Sequence, residues 1–213
     1  MAWTAPSTFV AGAILTAASL NTNVRDNSLA GGPIYATEAL RDAAITSPFE
    51  GQRAYITGST EAAATGSTTA VPTGIQTIYN GTSWVCVTQV GALVVTSQTT
   101  TSTSYVDLAT AGPAVTLRTG TTALVNISAL ITADATSAVA LMNFAVSGAT
   151  TRAAVDTESA FVQSAAGSQQ LALGRTQIIS GLTAGINTFT TKYRVTASTG
   201  RFENRTINVQ GIA

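Results

Sequence analysis

The chain has 213 residues, of which 9% are charged; ten Lys and Arg balance ten Asp and Glu, and there is no His. One lysine, Lys192, and no basic run leave no face for neutralising phosphates, so nucleic acid is not an expected partner. Without His there is no Ser-His-Asp triad, Cys-His pair or imidazole zinc site, and the lone Cys86 forms neither an intrachain disulfide nor a multi-cysteine metal cluster.

Ser and Thr are abundant and hydrate a surface without charge, while the branched Cβ of Thr suits the pleat. Composition therefore predicts a mainly β protein with an uncharged polar skin.

The first segment, residues 1–33, begins MAWTAPSTFVAGAILTAASLNTNVRDN. It has no basic n-region and Gly12 cuts its apolar run, so a cleaved signal peptide is not expected. No window approaches about 18 uninterrupted apolar residues, so no membrane span is expected either. Thr16 is a good N-cap, Leu15 and Leu20 make a hydrophobic staple, and Gly31-Gly32-Pro33 stops the chain. These signals predict a helix from about Ala17 to Leu29. Its apolar stripe is thin, because Leu20 and Val24 are followed by Asn27 and Ser28. Such a helix needs a surface to dock on, either its own domain or another chain.

Residues 34–90 read as a small β module. ATEALRDAAITS allows one or two helical turns with Leu40 and Ala44 on one side, ended by Pro48. GQRAYITG reads as a strand and GIQTIYNGTSWVCVT as a hairpin turning at Asn80-Gly81. Between them, STEAAATGSTTAVPTG reads as an exposed loop. Tyr79 and Trp84 are the expected miniature core, with a sugar platform as the alternative, and Cys86 is expected to be a buried apolar strand residue.

Residues 91–213 alternate with period two. In TALVNISALI, Ala123, Val125, Ile127, Ala129 and Ile131 share one face; in NTFTTKYRV, Phe189, Thr191, Tyr193 and Val195 do. Further strands are drawn at ALVVTSQ, SYVDLAT, AVTLRT, VALMNFAVS, TRAAV, SQQLALGRTQII and RFENRTINVQGI, the last tying the C-terminal residues into a sheet. Their number and spacing predict an antiparallel, jelly-roll-like β-sandwich. VALMNFAVS is apolar on both faces, which predicts a neighbouring subunit over the outer one and hence a homo-oligomer.

Chemistry is sparse. Asp156-Thr157-Glu158 is an acidic pair of the type that works on glycosides, and Asp134 with Asp156 and Glu158 is the candidate calcium set, but both patterns also suit solvated loops. Asn80-Gly81-Thr82, Asn126-Ile127-Ser128 and Asn204-Arg205-Thr206 match the glycosylation sequon at a frequency this Ser and Thr content yields by chance. No catalytic, cofactor or metal residues are assigned.

The opening WTAPSTFVAGAILTAASLNTNVRDN resembles the start of tailed-bacteriophage tail-tip, tail-fibre and other virion proteins, matching at Trp3, Pro6, Phe9, Gly12, Thr16, Ala17, Leu20, Asn21, Val24, Arg25, Asp26 and Asn27. RDAAITSPFEGQRAYITG with TIYNGTSWVCV is similar to the strand module that often follows, and GLTAGINTFTTKYRV to β-sandwich tips of phage fibres. A coiled-coil or triple-helical shaft is missing.

The resemblance implies a non-enzymatic virion structural protein, a trimer made in the host cytoplasm and carried on the particle. Its residues 1–33 would attach it to other virion proteins through Trp3, Phe9, Leu20, Val24 and Arg25. Its sandwich would face outward for host attachment, with a cell-surface glycan or protein as receptor. The alternatives are a capsid decoration or head-fibre protein and, behind these, a tail-borne polysaccharide-degrading enzyme. The sequence assigns no receptor-binding loop and does not choose between tail and head.

Overall fold

The computed structural model describes Thr16 and residues 32–213. The expected helix over about 17–29 lies outside the described residues, as do Trp3, Phe9, Leu20, Val24 and Arg25.

In the first unit, β1 (Ile34–Tyr35) leads into helix α1 (Glu38–Ala44) and β2 (Arg53–Ile56). Next come β3 (Ala62–Thr65), β4 (Thr68–Ala70), β5 (Ile75–Tyr79) and β6 (Trp84–Cys86). A small sheet orders them β1-β2-β5-β6, parallel at β1-β2 and antiparallel elsewhere. The β5-β6 hairpin turns where expected: Gly81 takes φ +89°, and Asn80 Oδ1 accepts from the amides of Thr82 (3.1 Å) and Ser83 (2.9 Å).

Helix α1 is capped by Thr37, whose hydroxyl accepts from the Leu40 amide. Its buried residues are Glu38 and Arg41, while Leu40 is 54% exposed and Ala44 is also exposed. The expected apolar stripe is thus on the wrong side. Hydrogen bonding decides the helix's rotation: Glu38 takes the hydroxyls of Ser59 and Thr60, and Arg41 slides beneath Trp84.

STEAAATGSTTAVPTG is not a loop. Its β3 and β4 pair with two different sheets of the sandwich, through Ala62↔Leu117 to Thr65↔Ala114 and Thr68↔Leu93 to Ala70↔Gly91. Small residues permit this approach, since a Cβ on Gly66 would sit 2.5 Å from the Leu93 carbonyl oxygen.

The remaining strands are β7 (Val90–Val94), β8 (Gln98–Thr100), β9 (Ala114–Thr119), β10 (Thr122–Ala133), β11 (Val139–Gly148), β12 (Ala160–Gln163), β13 (Gln169–Ser180), β14 (Gly185–Val195) and β15 (Gly200–Ile212). One sheet runs β13-β10-β15-β7-β4, with β8 also on β15; the other runs β12-β11-β14-β9-β3. Without β3, β4 and β8 this is the eight-strand order of a jelly roll, so the mainly β, antiparallel sandwich fold is established by the strand order itself.

Alternation fills the space between the sheets. Ala123, Val125, Ile127 and Ile131 of β10 face Met142, Phe144, Phe189 and Tyr193, all buried. Phe144 tilts against Phe189 at 5.9 Å and Tyr193 against Phe202 at 4.9 Å. Cys86 is fully buried on β6, and burial pushes its thiol up to about 11.

Several sandwich expectations differ. SYVDLAT and TRAAV are irregular and contribute only the bridges Val106↔Tyr193 and Val146↔Arg152, while AFVQ at β12 and Gln98–Thr100 are strands that the sequence reading omits. The outer face of β11 is indeed buried, at Leu141 (5%) and Asn143 (0%), yet its cover comes from the chain itself. Residues 149–159 fold back over it, ending in a 3₁₀ turn (Asp156–Glu158), and Asn143 Nδ2 donates to the Val155 carbonyl. Burial of that face therefore needs no neighbouring subunit.

Candidate functional site

The register gives the sandwich two ends. At one, Thr122 lies beside Ser180 and Ile212, and the small sheet packs there: Gly120 approaches Asn80 and Val85, and Gly211 approaches Cys86. At the other, Ala133 lies beside Gln169 and Gly200. Three connections cluster at this distal end: residues 134–138, 164–168 and 196–199.

Short polar residues hold the three together. The Ser137 amide donates to the Ser164 carbonyl (2.7 Å), the Ser164 amide to the Ala138 carbonyl (3.0 Å) and the Asp134 amide to the Thr199 carbonyl (3.1 Å). The Gly167 amide reaches Thr136 Oγ1 at 3.1 Å, and Ser164 Oγ donates to the Gly167 carbonyl. Ser137 (φ 64°) and Ser198 (φ 60°) adopt the left-handed region, as tight turns require.

With the inward groups satisfied, Thr136, Ser137, Ala165, Ala166, Ser168, Thr196, Ala197 and Ser198 remain exposed, with Asp134 as the one ionisable group in these loops. Such a surface donates and accepts neutral hydrogen bonds. The three loops themselves carry no cation and no aromatic ring for stacking, and the exposed Arg201 flanks them at the start of β15.

The sequence-predicted chemistry does not assemble. Asp156 and Glu158 occupy the 3₁₀ turn, not a strand, and each is taken by an arginine: Asp156 Oδ2 by Arg194 Nη2 (2.9 Å), Glu158 by Arg152. Asp134 sits at the distal end, bonded to Ser168 (3.4 Å), on a different loop from the other two carboxylates of the calcium set. Among the described residues, no group of three His, Cys, Asp or Glu side chains is placed to hold a metal ion. No helix among them is long and apolar enough to cross a membrane.

Beside the acidic turn, Tyr105 hydrogen-bonds Ser159 (2.5 Å) under the Arg194 guanidinium, and burial pushes its phenol up to about 12. Lys192 pairs with Asp107 at 2.7 Å on the same outer face.

The aromatic pair of the small sheet is also accounted for. Tyr79 meets Trp84 edge-on at 5.6 Å, the Arg41 guanidinium lies 4.6 Å over the Trp84 ring, and Trp84 is 7% exposed. A ring covered in this way is a core residue, and the covered face is not open for stacking a sugar. The adjoining hollow of about 320 Å³ is lined by Arg41, Asp42, Tyr79, Ser83 and Arg118.

In the sequence Arg205 falls within the strand RFENRTINVQGI and within a sequon, neither of which gives it a role. Arg205 is fully buried on β15 beneath segment 96–112, and only an arginine in the inward register of a strand could have signalled it.

No family model matches the chain, and no curated protein does. Among solved structures, the chain is similar to the Eiger TNF of S. frugiperda, at 11% identity and a TM-score of 0.41, covering 59% of this chain and 92% of that one. The jelly-roll assignment rests on the strand order above and not on this likeness.

Proposed function

We propose that the chain is a bacteriophage virion structural protein that serves in host attachment. Residues 1–33 hold it to the particle through Trp3, Phe9, Leu20, Val24 and Arg25, and the jelly roll presents loops 134–138, 164–168 and 196–199 outward. The observation that carries this reading is polarity. The small sheet that follows the N-terminal segment caps one end of the sandwich, and a hydroxyl-rich loop cluster with the single carboxylate Asp134 occupies the other. The N-terminal resemblance supplies the particle, and the hydroxyl-rich tip suits a receptor bound through hydrogen bonds, either a surface glycan or a protein.

The protein acts by binding, without catalysis or cofactor, and as a homo-oligomer, a trimer by the same resemblance. Neutralisation of Asp156 and Glu158 by separate arginines supports the non-enzymatic reading. Labelled protein is expected to bind host cells and to compete with particle adsorption. Particles lacking the protein that adsorb normally but break on heating would replace attachment with head decoration. Shortened host polysaccharide after incubation would replace binding with catalysis.

A further inference from the structure

Asn80 is the one asparagine of the chain that is followed by glycine; the residue after every other asparagine carries a side chain. A Cβ on the following residue hinders the approach of its backbone nitrogen to the carboxamide, and glycine removes that obstacle. The pair lies in the β5-β6 turn, with Asn80 half-buried and Gly81 exposed to water.

The turn arranges these groups for a reaction with one another. Asn80 Oδ1 accepts from the amides of Thr82 (3.1 Å) and Ser83 (2.9 Å), which hold the carboxamide over the turn. The same two donors polarise the Cγ carbonyl where negative charge develops on attack. The attacking nitrogen is not engaged elsewhere, because among the described residues the Gly81 amide donates no hydrogen bond. Nδ2, the leaving group, likewise has no acceptor among the described residues. It faces Gly120, where a Cβ would lie 2.8 Å from it. A base stands alongside: Glu50 Oε2 is 3.6 Å from the position that a Cβ on Gly81 would take.

We infer that Asn80 is a site of self-modification, cyclising onto Gly81 and opening to aspartate or isoaspartate, with water as the co-reactant. The Gly81 nitrogen bonds to Asn80 Cγ and passes its proton to Glu50 Oε2. The Cγ–Nδ2 bond then breaks, and Nδ2 takes that proton and leaves as ammonia. Attacker and carbonyl sit on adjoining residues, so the step is unimolecular. Its product is a succinimide ring, and water adds to either of the two ring carbonyls with cleavage of that carbon's bond to nitrogen. Addition at Cγ leaves an ordinary aspartate at position 80; addition at the main-chain carbonyl leaves an isoaspartate, whose main chain is longer by one carbon. The extra carbon falls next to the Tyr79↔Trp84 pair, so the isoaspartyl form disturbs the small sheet where it meets the sandwich.

The test is peptide mapping by mass spectrometry after incubation in mildly alkaline buffer, on the full chain folded and in guanidinium chloride, alongside E50Q. Glu50 is exposed, so the variant is expected to fold. In the folded wild type, Asn80 is expected to convert about tenfold or more faster than Asn126 and Asn204. E50Q is expected to slow the folded chain and not the denatured one. Conversion in the denatured chain with Asn80 retained in the folded chain would show that the turn protects the carboxamide, and would overturn the inference. Equal rates for folded wild type and folded E50Q would overturn the role of Glu50.

Discussion

Among the described residues Arg205 is a buried cation with no carboxylate partner, and its replacement tests the packing of the sandwich flank. The side chain is fully buried, its guanidinium 5.2 Å over the Tyr193 ring. Nη1 donates to the carbonyls of Thr110 and Gly112 (both 3.3 Å), and Nη2 to the Thr96 carbonyl (3.5 Å) and Gln98 Oε1 (3.1 Å). Gly112 keeps a second donor in Tyr193 OH (2.9 Å), and Gln98 keeps the Thr110 amide (3.0 Å), so removal of Arg205 strands two carbonyls, Thr96 and Thr110.

Both carbonyls belong to exposed residues and their bonds are long, so the net value of about 0.5–1.5 kcal/mol per hydrogen bond applies and the polar loss is about 1–2 kcal/mol. Arg205→Ala adds the space left by a large side chain, and by analogy with large-to-small core changes the total loss is about 4 kcal/mol. Arg205→Met fills most of that space and relieves the desolvation of an unpaired charge, so its cost is expected to be about 1–2 kcal/mol. Urea unfolding at constant m-value reads both. An Arg205→Ala loss under about 1 kcal/mol, or Met costing more than Ala, would refute the reasoning.

Three further outcomes follow from the same geometry. Burial alone would raise the Glu38 carboxyl, but hydrogen bonds from Ser59, Thr60 and nearby amides outweigh it and hold the group below its ordinary 4.5. Its stabilisation is present above the unfolded value and is lost as pH falls through the folded one. Glu38→Gln should therefore lower stability near neutrality and flatten the acid limb of an unfolding-versus-pH curve; an unchanged limb would sink this. Arg41→Ala, in a Trp3→Phe background, should shift Trp84 emission to longer wavelength and cost about 2–3 kcal/mol, from the lost cation–π contact and packing. Unshifted emission would contradict the stacking. Asn143→Ala should cost about 1–3 kcal/mol and speed hydrogen exchange over residues 149–159 while leaving the oligomer mass unchanged; a fall in mass would restore a subunit contact over β11.

Much of the sandwich was legible because one face of each long strand is core and the other is water. In β10 and β14, alternation identified Val125, Ile127, Phe189 and Tyr193 as inward, and each is fully buried. Legibility failed where side chains do not report the backbone's partner. AAAT and TTA in β3 and β4 have little apolar contrast, and their pairing depends on distant edges at β9 and β7. Helix α1 misled for a related reason: its buried face is Glu38 and Arg41, polar groups satisfied by residues roughly twenty or more positions away. The distal loops could be found as Ser, Thr and Gly turns, but only the register places the three at one end.

Host-cell binding by the tip is the claim on which the functional account turns, and one binding measurement tests it most directly. Labelled wild type, the exposed-loop double variant A166R and A197R, and S180R at the opposite end are titrated onto host cells. A tenfold or greater loss of affinity, about 1.4 kcal/mol or more, is expected for the loop variant, and wild-type binding for S180R. Wild-type binding by the folded loop variant, or a loss confined to S180R, would contradict it.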